Sequence, residues 1–266
     1  MAVDPKKPRT VLIIHGVQTG DDSDLNQDRL IEQLLKSRLG NMPLQFKTDL
    51  YRYENLNNQA QSKYGKLIKL IAANPIGEVL AGNALDLIGD VVTARLDTST
   101  AAQIRQGFKN KILEIFTGGS PCYVVAHSLG SIYAFDVINE LIKDNHYFDR
   151  NSRRTWPVQG LITLGSPIGL SMFKKRRQKV QSLGEGTKMF RWLNYWDRTD
   201  PVVSGKLFGQ TLNGFEIAEK YRTESPDLGW VIRDRPVDTG KAWLMAHVAY
   251  WENPMVGDGL FDLVTN

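Results

Sequence analysis

The sequence predicts an α/β fold, a mostly parallel, doubly wound sheet in a single domain spanning residues 1–266. Three observations carry this expectation. Short apolar runs rich in Val, Ile and Leu, the kind buried on both faces of a sheet, recur along the chain. Helical patterns separate them, as the crossovers between parallel strands require. The length of 266 residues, with 42% apolar and 23% charged residues, suits one large domain with a sizeable core.

Taken in order, Arg9 to His15 reads as a buried strand ended by Gly16. Ser23 to Leu39 sets Leu25, Leu30, Ile31, Leu34, Leu35 and Leu39 at helical spacing. Leu44 to Tyr51 alternates as a more exposed strand does. Ile104, Phe108, Ile112, Ile115 and Phe116 line one helical face, which Gly118 and Gly119 terminate. Pro121 to Ala126 is a second buried strand, followed by a helix from Leu129 to about Lys143. Val158 to Leu164 and Met189 to Trp196 give two more strands, and Gly229 to Asp234 a weaker one. A short helix after Ala246 closes the chain.

About seventy residues lie between Tyr51 and Cys122, far more than one crossover helix needs. Their apolar spacing predicts two or three extra helices in an insertion at about 57–100. Two readings stand: additional core, or a lid over a site on the sheet edge.

The composition excludes several classes. One cysteine, Cys122, rules out a disulfide scaffold and any multi-thiolate zinc or iron–sulfur site. No metal-ligand spacing of histidines and no acidic calcium loop is present, so the sequence implies no cofactor. The longest nearly apolar stretch, Ala242 to Trp251, is ten residues, too short to span a bilayer. The first ten residues are basic without an apolar core, so no secretory signal is seen and a cytoplasmic location is expected. Net charge is only +4, yet ten Lys or Arg and a single acid, Glu185, lie between Arg150 and Arg191.

The residues that carry chemistry are Ala126-His127-Ser128-Leu129-Gly130. A buried strand runs into a serine flanked by small residues two places either side, and an apolar helix follows. That is the strand–turn–helix setting of a nucleophile elbow. The tight turn leaves no room for a side chain at 130 and holds Ser128 Oγ over the strand end. The Leu129 N–H, at the helix N-terminus, is then available to an oxyanion. His15-Gly16 follows the first strand as an oxyanion loop should, with the N–H of Gly16 or Val17 as second donor. Downstream, acids and a histidine occur in the order Ser, Asp, His.

On these residues, together with Ser131-Ile132-Tyr133-Ala134-Phe135-Asp136 and Leu164-Gly165-Ser166-Pro167-Ile168-Gly169, the chain resembles the α/β-hydrolase superfamily. The motifs are similar to those of its lipase-like members: the lecithin:cholesterol acyltransferase-like, inositol-deacylase-like and DDHD phospholipase groups. The resemblance runs from about residue 10 to 252. It departs from the usual pattern in having Ala126 for glycine and Ile168 where many lipases carry histidine. It implies a reduced sheet of about six strands and a serine esterase or lipase activity.

The resemblance also distributes the roles. His15 and His127, inside the motifs, would be structural, and His146 lies in a polar loop. His247, in Met245-Ala246-His247-Val248-Ala249-Tyr250-Trp251, matches the family's His-x-x-Tyr-Trp segment and would be the base. Asp197 and Asp200 both follow the strand ending at Trp196, and Asp200, before Pro201, matches the family's acid. Ser128, His247 and Asp200 would then form the catalytic triad. The same machinery would serve a thioesterase or peptidase, and a second class of reading is a hydrolase fold kept as a binding module.

Lys174, Lys175, Arg176, Arg177 and Lys179 lie just beyond the Gly-Ser-Pro loop, near the presumed mouth of the site. They are expected either to contact an anionic membrane, making the protein membrane-peripheral with a lipid ester substrate, or to form a plain solvated face. Nucleic acid is the less favoured partner, since no aromatic residues interleave the cluster.

Overall fold

The computed structural model describes residues 2–16, 26–53, 99–144, 146–147, 153–169, 191–204, 231–241 and 244–266. Strand β1 (Arg9–Ile14) is followed by helix α1 (Gln27–Leu39) and strand β2 (Phe46–Tyr51). Helix α2 (Ser99–Thr117) leads to β3 (Cys122–His127), which runs into α3 (Leu129–Lys143). Then come β4 (Gly160–Leu164), β5 (Arg191–Trp196) and a single helical turn, α4 (Pro201–Ser204). Strand β6 (Val231–Pro236), the short helix α5 (Leu244–Val248) and α6 (Pro254–Thr265) complete the order.

The six strands form one sheet in the order β2-β1-β3-β4-β5-β6, and every neighbouring pair is parallel. This is the reduced α/β-hydrolase-like arrangement expected from the sequence. Strand β3 sits between β1 and β4 with all six residues buried, which is why its sequence runs apolar without alternation. Edge strand β2 is only half-buried, and its sequence alternates accordingly.

The sheet is covered on both faces. On one, Val11, Ile13, Val125, Ile162 and Leu193 pack with Ile31 and Leu35 of α1 and Val256, Leu260 and Leu263 of α6. On the other, Leu12, Ile14, Val124, Leu161 and Trp192 pack with Ile104, Phe108 and Ile112 of α2 and Ile132, Phe135 and Ile138 of α3. Each such fully buried side chain is worth about 1.5–3 kcal/mol over leaving it exposed.

The end of the chain differs from expectation. Instead of one short helix after Ala246, α5 ends at Val248, a 3₁₀ turn spans Ala249–Glu252, and the twelve-residue α6 follows. Asn253 caps α6 by accepting the Met255 N–H, and Pro254 occupies its first turn, where a missing N–H costs nothing. The weaker strand lies at Val231–Pro236, two residues beyond the end expected for it. The helical insertion expected at about 57–100 falls almost wholly outside the described residues, α2 taking its last two positions. No described helix is long and apolar enough to cross a membrane.

The chain leaves β1 toward β2 on one side and returns to β3 on the other. Such a reversal opens a crevice at the carboxyl ends of the two central strands, where ligands of parallel α/β folds bind. The carboxyl ends of β1, β3, β4 and β5 all lie on that edge of the sheet.

Candidate active site

Ser128 is the single residue between β3 and α3. Its backbone sits at φ 53° and ψ −131°, and it is the one non-glycine residue with positive φ among those described. A conformation of this kind costs about 1–3 kcal/mol and persists only where the surroundings impose it. Here the surroundings are tight. A Cβ at position 130 would run into the carbonyls of Ile14 and His15, so α3 can begin this close to β1 only with glycine there. Ser128 N–H donates to Leu164 O at 3.0 Å, and the Ser131 hydroxyl donates to Ser128 O at 2.5 Å. The Ser131 hydroxyl also meets the Ser166 hydroxyl at 2.7 Å, so the Gly-Ser-Pro loop braces the elbow from beneath.

His247 comes from α5 and is 1% exposed. Its Nε2 lies 2.8 Å from Ser128 Oγ, and its Nδ1 lies 2.9 Å from Asp200 Oδ2. A carboxylate only accepts, so Nδ1 carries the hydrogen and Nε2 is free to accept from the serine hydroxyl. Asp200 is fully buried, and its Oδ1 accepts the Val202 N–H at 2.9 Å while Oδ2 also accepts the Tyr250 hydroxyl at 2.8 Å. Burial, then the neighbouring Asp200 carboxylate, holds the Tyr250 phenol well above its ordinary pKa.

Asp197 faces elsewhere. Its Oδ1 accepts from the backbone and hydroxyl of Thr199, each at 2.7 Å, and its Oδ2 from the backbone and hydroxyl of Thr239, each at 2.8 Å. Burial pushes its carboxyl up, but these four donors outweigh it and the net shift is downward. Asp197 is an acceptor hub joining the loops after β5 and β6.

His127 packs at a tilt against the His247 ring with centroids 4.7 Å apart, and against Trp251 at 5.1 Å. Its Nε2–H donates to the His247 carbonyl at 2.6 Å, tethering the α5 backbone to the end of β3. Burial above all, and then the neighbouring His247, holds His127 well below the ordinary histidine pKa, so it packs as a neutral ring. His146 is exposed in the turn after α3.

Gly16 lies directly against the elbow. A Cβ built on it would stand 2.8 Å from Ser128 Oγ and 3.2 Å from Leu129 N, so a side chain would obstruct the space between the serine hydroxyl and that amide. Leu129 opens α3, and its N–H has no intrahelical acceptor. Val17 and the cations Lys174, Lys175, Arg176, Arg177 and Lys179 lie outside the described residues. Burial raises the pKa of Cys122, inside β3, and leaves the thiol inert.

The structure therefore brings Ser128, His247, Asp200, Leu129 and Gly16 together. Sequence reasoning missed Tyr250, Tyr53 and the Ser131–Ser166 pair, whose hydroxyls support these residues. The only sequence signal for Tyr250 was its place three residues after His247.

No protein-family model matches the chain, and a search of curated proteins returns no significant sequence match. Solved structures similar to it include an S-formylglutathione hydrolase from Agrobacterium tumefaciens, at 11% identity and a TM-score of 0.48, covering 98% of this chain and 85% of that one. An IroE-like serine hydrolase from Shewanella oneidensis is similar at 13% identity and a TM-score of 0.41, covering 97% of this chain and 69% of that one. Neither is one of the lipase groups named from the motifs. The functional reading rests on the site itself.

Proposed function

We propose that the protein is a serine hydrolase that cleaves a carboxylic ester through an acyl-enzyme on Ser128. One observation carries the reading: a continuous hydrogen-bonded line from Ser128 Oγ through the His247 ring to Asp200, anchored on a strained elbow. Ser128 Oγ attacks the substrate carbonyl carbon while His247 Nε2 takes its proton. Asp200 fixes the tautomer and stabilises the imidazolium that forms. The Leu129 N–H and an N–H of the Gly16–Val17 segment stabilise the oxyanion. His247 then delivers the proton to the leaving alcohol, and water, activated by the same ring, releases the acid.

The substrate class we propose is a lipid or phospholipid acyl ester. Its support is the likeness of the motifs to lipase-like hydrolases and the five cations between Lys174 and Lys179, which would draw the protein to an anionic surface. The insertion at about 57–100 would govern access for long acyl chains. Thioesters and amides are open to the same chemistry, since the elbow specifies acyl transfer and not the leaving group.

Ser128→Ala tests the activity. Across short acyl esters, acyl thioesters and phospholipid vesicles, it should lower kcat by about 10⁴- to 10⁶-fold with the fold intact. A variant keeping a tenth of wild-type turnover would overturn the proposed mechanism on Ser128.

A further inference from the structure

Strands β1 and β2 run parallel at a constant offset of 37 residues, from Arg9 opposite Phe46 to Ile14 opposite Tyr51. Carried two residues past the strand ends, that offset sets Tyr53 beside Gly16. The side chains make use of the placement. The Tyr53 hydroxyl lies 2.8 Å from the His15 carbonyl oxygen and 2.7 Å from that of Gly16, and its one hydrogen serves both. Its ring stacks on that of His15, 4.9 Å between centroids and 10° between planes, and Tyr133 meets it edge-on at 6.1 Å. His15 Nδ1–H closes the arrangement by donating to the Gly16 carbonyl at 2.6 Å. Tyr53 is only 4% exposed, so little water reaches these contacts.

A trans peptide is planar, with its N–H directed opposite its C=O. Holding the His15 carbonyl therefore aims the Gly16 N–H, and holding the Gly16 carbonyl aims the N–H of the next peptide. Gly16 itself lies against Ser128, since a Cβ built on it would stand 2.8 Å from Ser128 Oγ. We propose that Tyr53 is the positioning residue of the oxyanion loop, locking the His15 and Gly16 peptides so that their amides meet charge forming on the substrate oxygen. This rests on the serine-hydrolase reading above. Donors held in place before reaction stabilise the transition state without being reorganised during it. Tyr53 touches neither substrate nor nucleophile in this scheme, so its loss weakens the transition state and leaves ground-state binding unchanged.

The test compares Tyr53→Phe with Tyr51→Phe. The Tyr51 hydroxyl donates to Ile104 O at 3.1 Å and touches neither His15 nor Gly16 through any hydrogen bond, so its loss reports stability alone. Steady-state hydrolysis of a short acyl ester is measured below each melting transition. Inhibition by an alkylboronic acid, which adds to the serine hydroxyl as a tetrahedral anion, is measured alongside. Tyr53→Phe should lower kcat about 10- to 100-fold with KM within twofold, less than the 10²–10³ lost with an oxyanion donor itself. The boronate inhibition constant should rise by the same factor, while Tyr51→Phe keeps both at wild-type values. Replacing Tyr53 with 4-aminophenylalanine restores a donor at the same place and should recover most of kcat, even if the phenylalanine variant folds poorly. Overturning results are a Tyr53→Phe kcat within twofold of wild type, a fall in kcat with boronate affinity untouched, or no recovery with the amino variant. A wild-type protein that neither hydrolyses any ester nor binds the boronate overturns the hydrolase reading first. An active wild type with an undiminished Tyr53→Phe overturns the Tyr53 proposal alone.

Discussion

Tyr250 donates its phenolic hydrogen to Asp200 Oδ2 at 2.8 Å, the same oxygen that accepts His247 Nδ1–H at 2.9 Å. The phenolic oxygen in turn accepts the Asp197 N–H at 2.8 Å. The acid facing the histidine and the neighbouring acid that faces away are thus joined through one tyrosine. Three donors, Val202 N–H, Tyr250 O–H and His247 N–H, converge on the buried Asp200 carboxylate.

Removing that hydroxyl should act on both sides. In Tyr250→Phe, Asp200 loses a donor and the Asp197 amide loses its acceptor. Ester turnover should fall about tenfold, the equivalent of about 1.4 kcal/mol. The unsatisfied amide should lower stability by about 1–3 kcal/mol in urea unfolding. A variant equal to wild type in both would show that the hydroxyl is incidental.

The two aspartates should separate cleanly. Asp200→Asn puts an amide where the histidine tautomer is set, and about 10⁴-fold in kcat is the expected cost. Asp197→Asn replaces one of two accepting oxygens with an NH₂ facing Thr donors, so it should lower the melting temperature and leave kcat within a few-fold. Both variants assayed at pH 8 decide the matter, and the reverse ranking would make Asp197 the acid.

His127 predicts a pH dependence of stability. Its folded pKa is depressed, by burial first, so between that value and the unfolded value near 6.5 the unfolded chain binds a proton that the native state does not. Its contribution is therefore fully present above about pH 6.5 and falls away at lower pH, by up to about 1.4 kcal/mol per unit. His127→Gln keeps an N–H for the His247 carbonyl and removes the titration. The difference in unfolding free energy between wild type and variant should therefore slope with pH between 5 and 6.5 and flatten above. A constant difference across that range would count against a neutral, buried His127.

The five cations between Lys174 and Lys179 make a separate prediction. Neutralising all five should weaken sedimentation with phosphatidylserine vesicles, most at low salt, with each charge near the surface worth about 1 kcal/mol. Turnover of a water-soluble ester should not change. Equal vesicle binding across a salt titration would reduce the cluster to a solvated face.

Much of this architecture is written in local pattern. The continuous apolar run of Cys122 to Ala126 marks a central strand because both its faces are covered. The elbow is legible because Ser128 needs small neighbours at 126 and 130, a constraint the pentapeptide displays directly. Helix α6 was not legible, since Gly257, Asp258 and Gly259 interrupt the apolar spacing of Val256, Leu260, Leu263 and Val264. Its signal was the Asn253-Pro254 start, a cap followed by a residue preset for the first turn. Tyr53 and Tyr250 were hidden for another reason. A tyrosine at a strand end or in an apolar run reads as core, and only the parallel register and the fold of α5 show where its hydroxyl arrives.

The most direct measurement is covalent labelling by an alkyl fluorophosphonate, which reacts with a serine whose hydroxyl a histidine activates, followed by peptide mass spectrometry. The account predicts a single adduct, on the peptide carrying Ser128. The adduct should be absent in Ser128→Ala and slowed at least a hundredfold in His247→Ala, because without the ring no base takes the hydroxyl proton. A folded wild type that takes no label, or one labelled as fast without His247 as with it, would contradict the central claim.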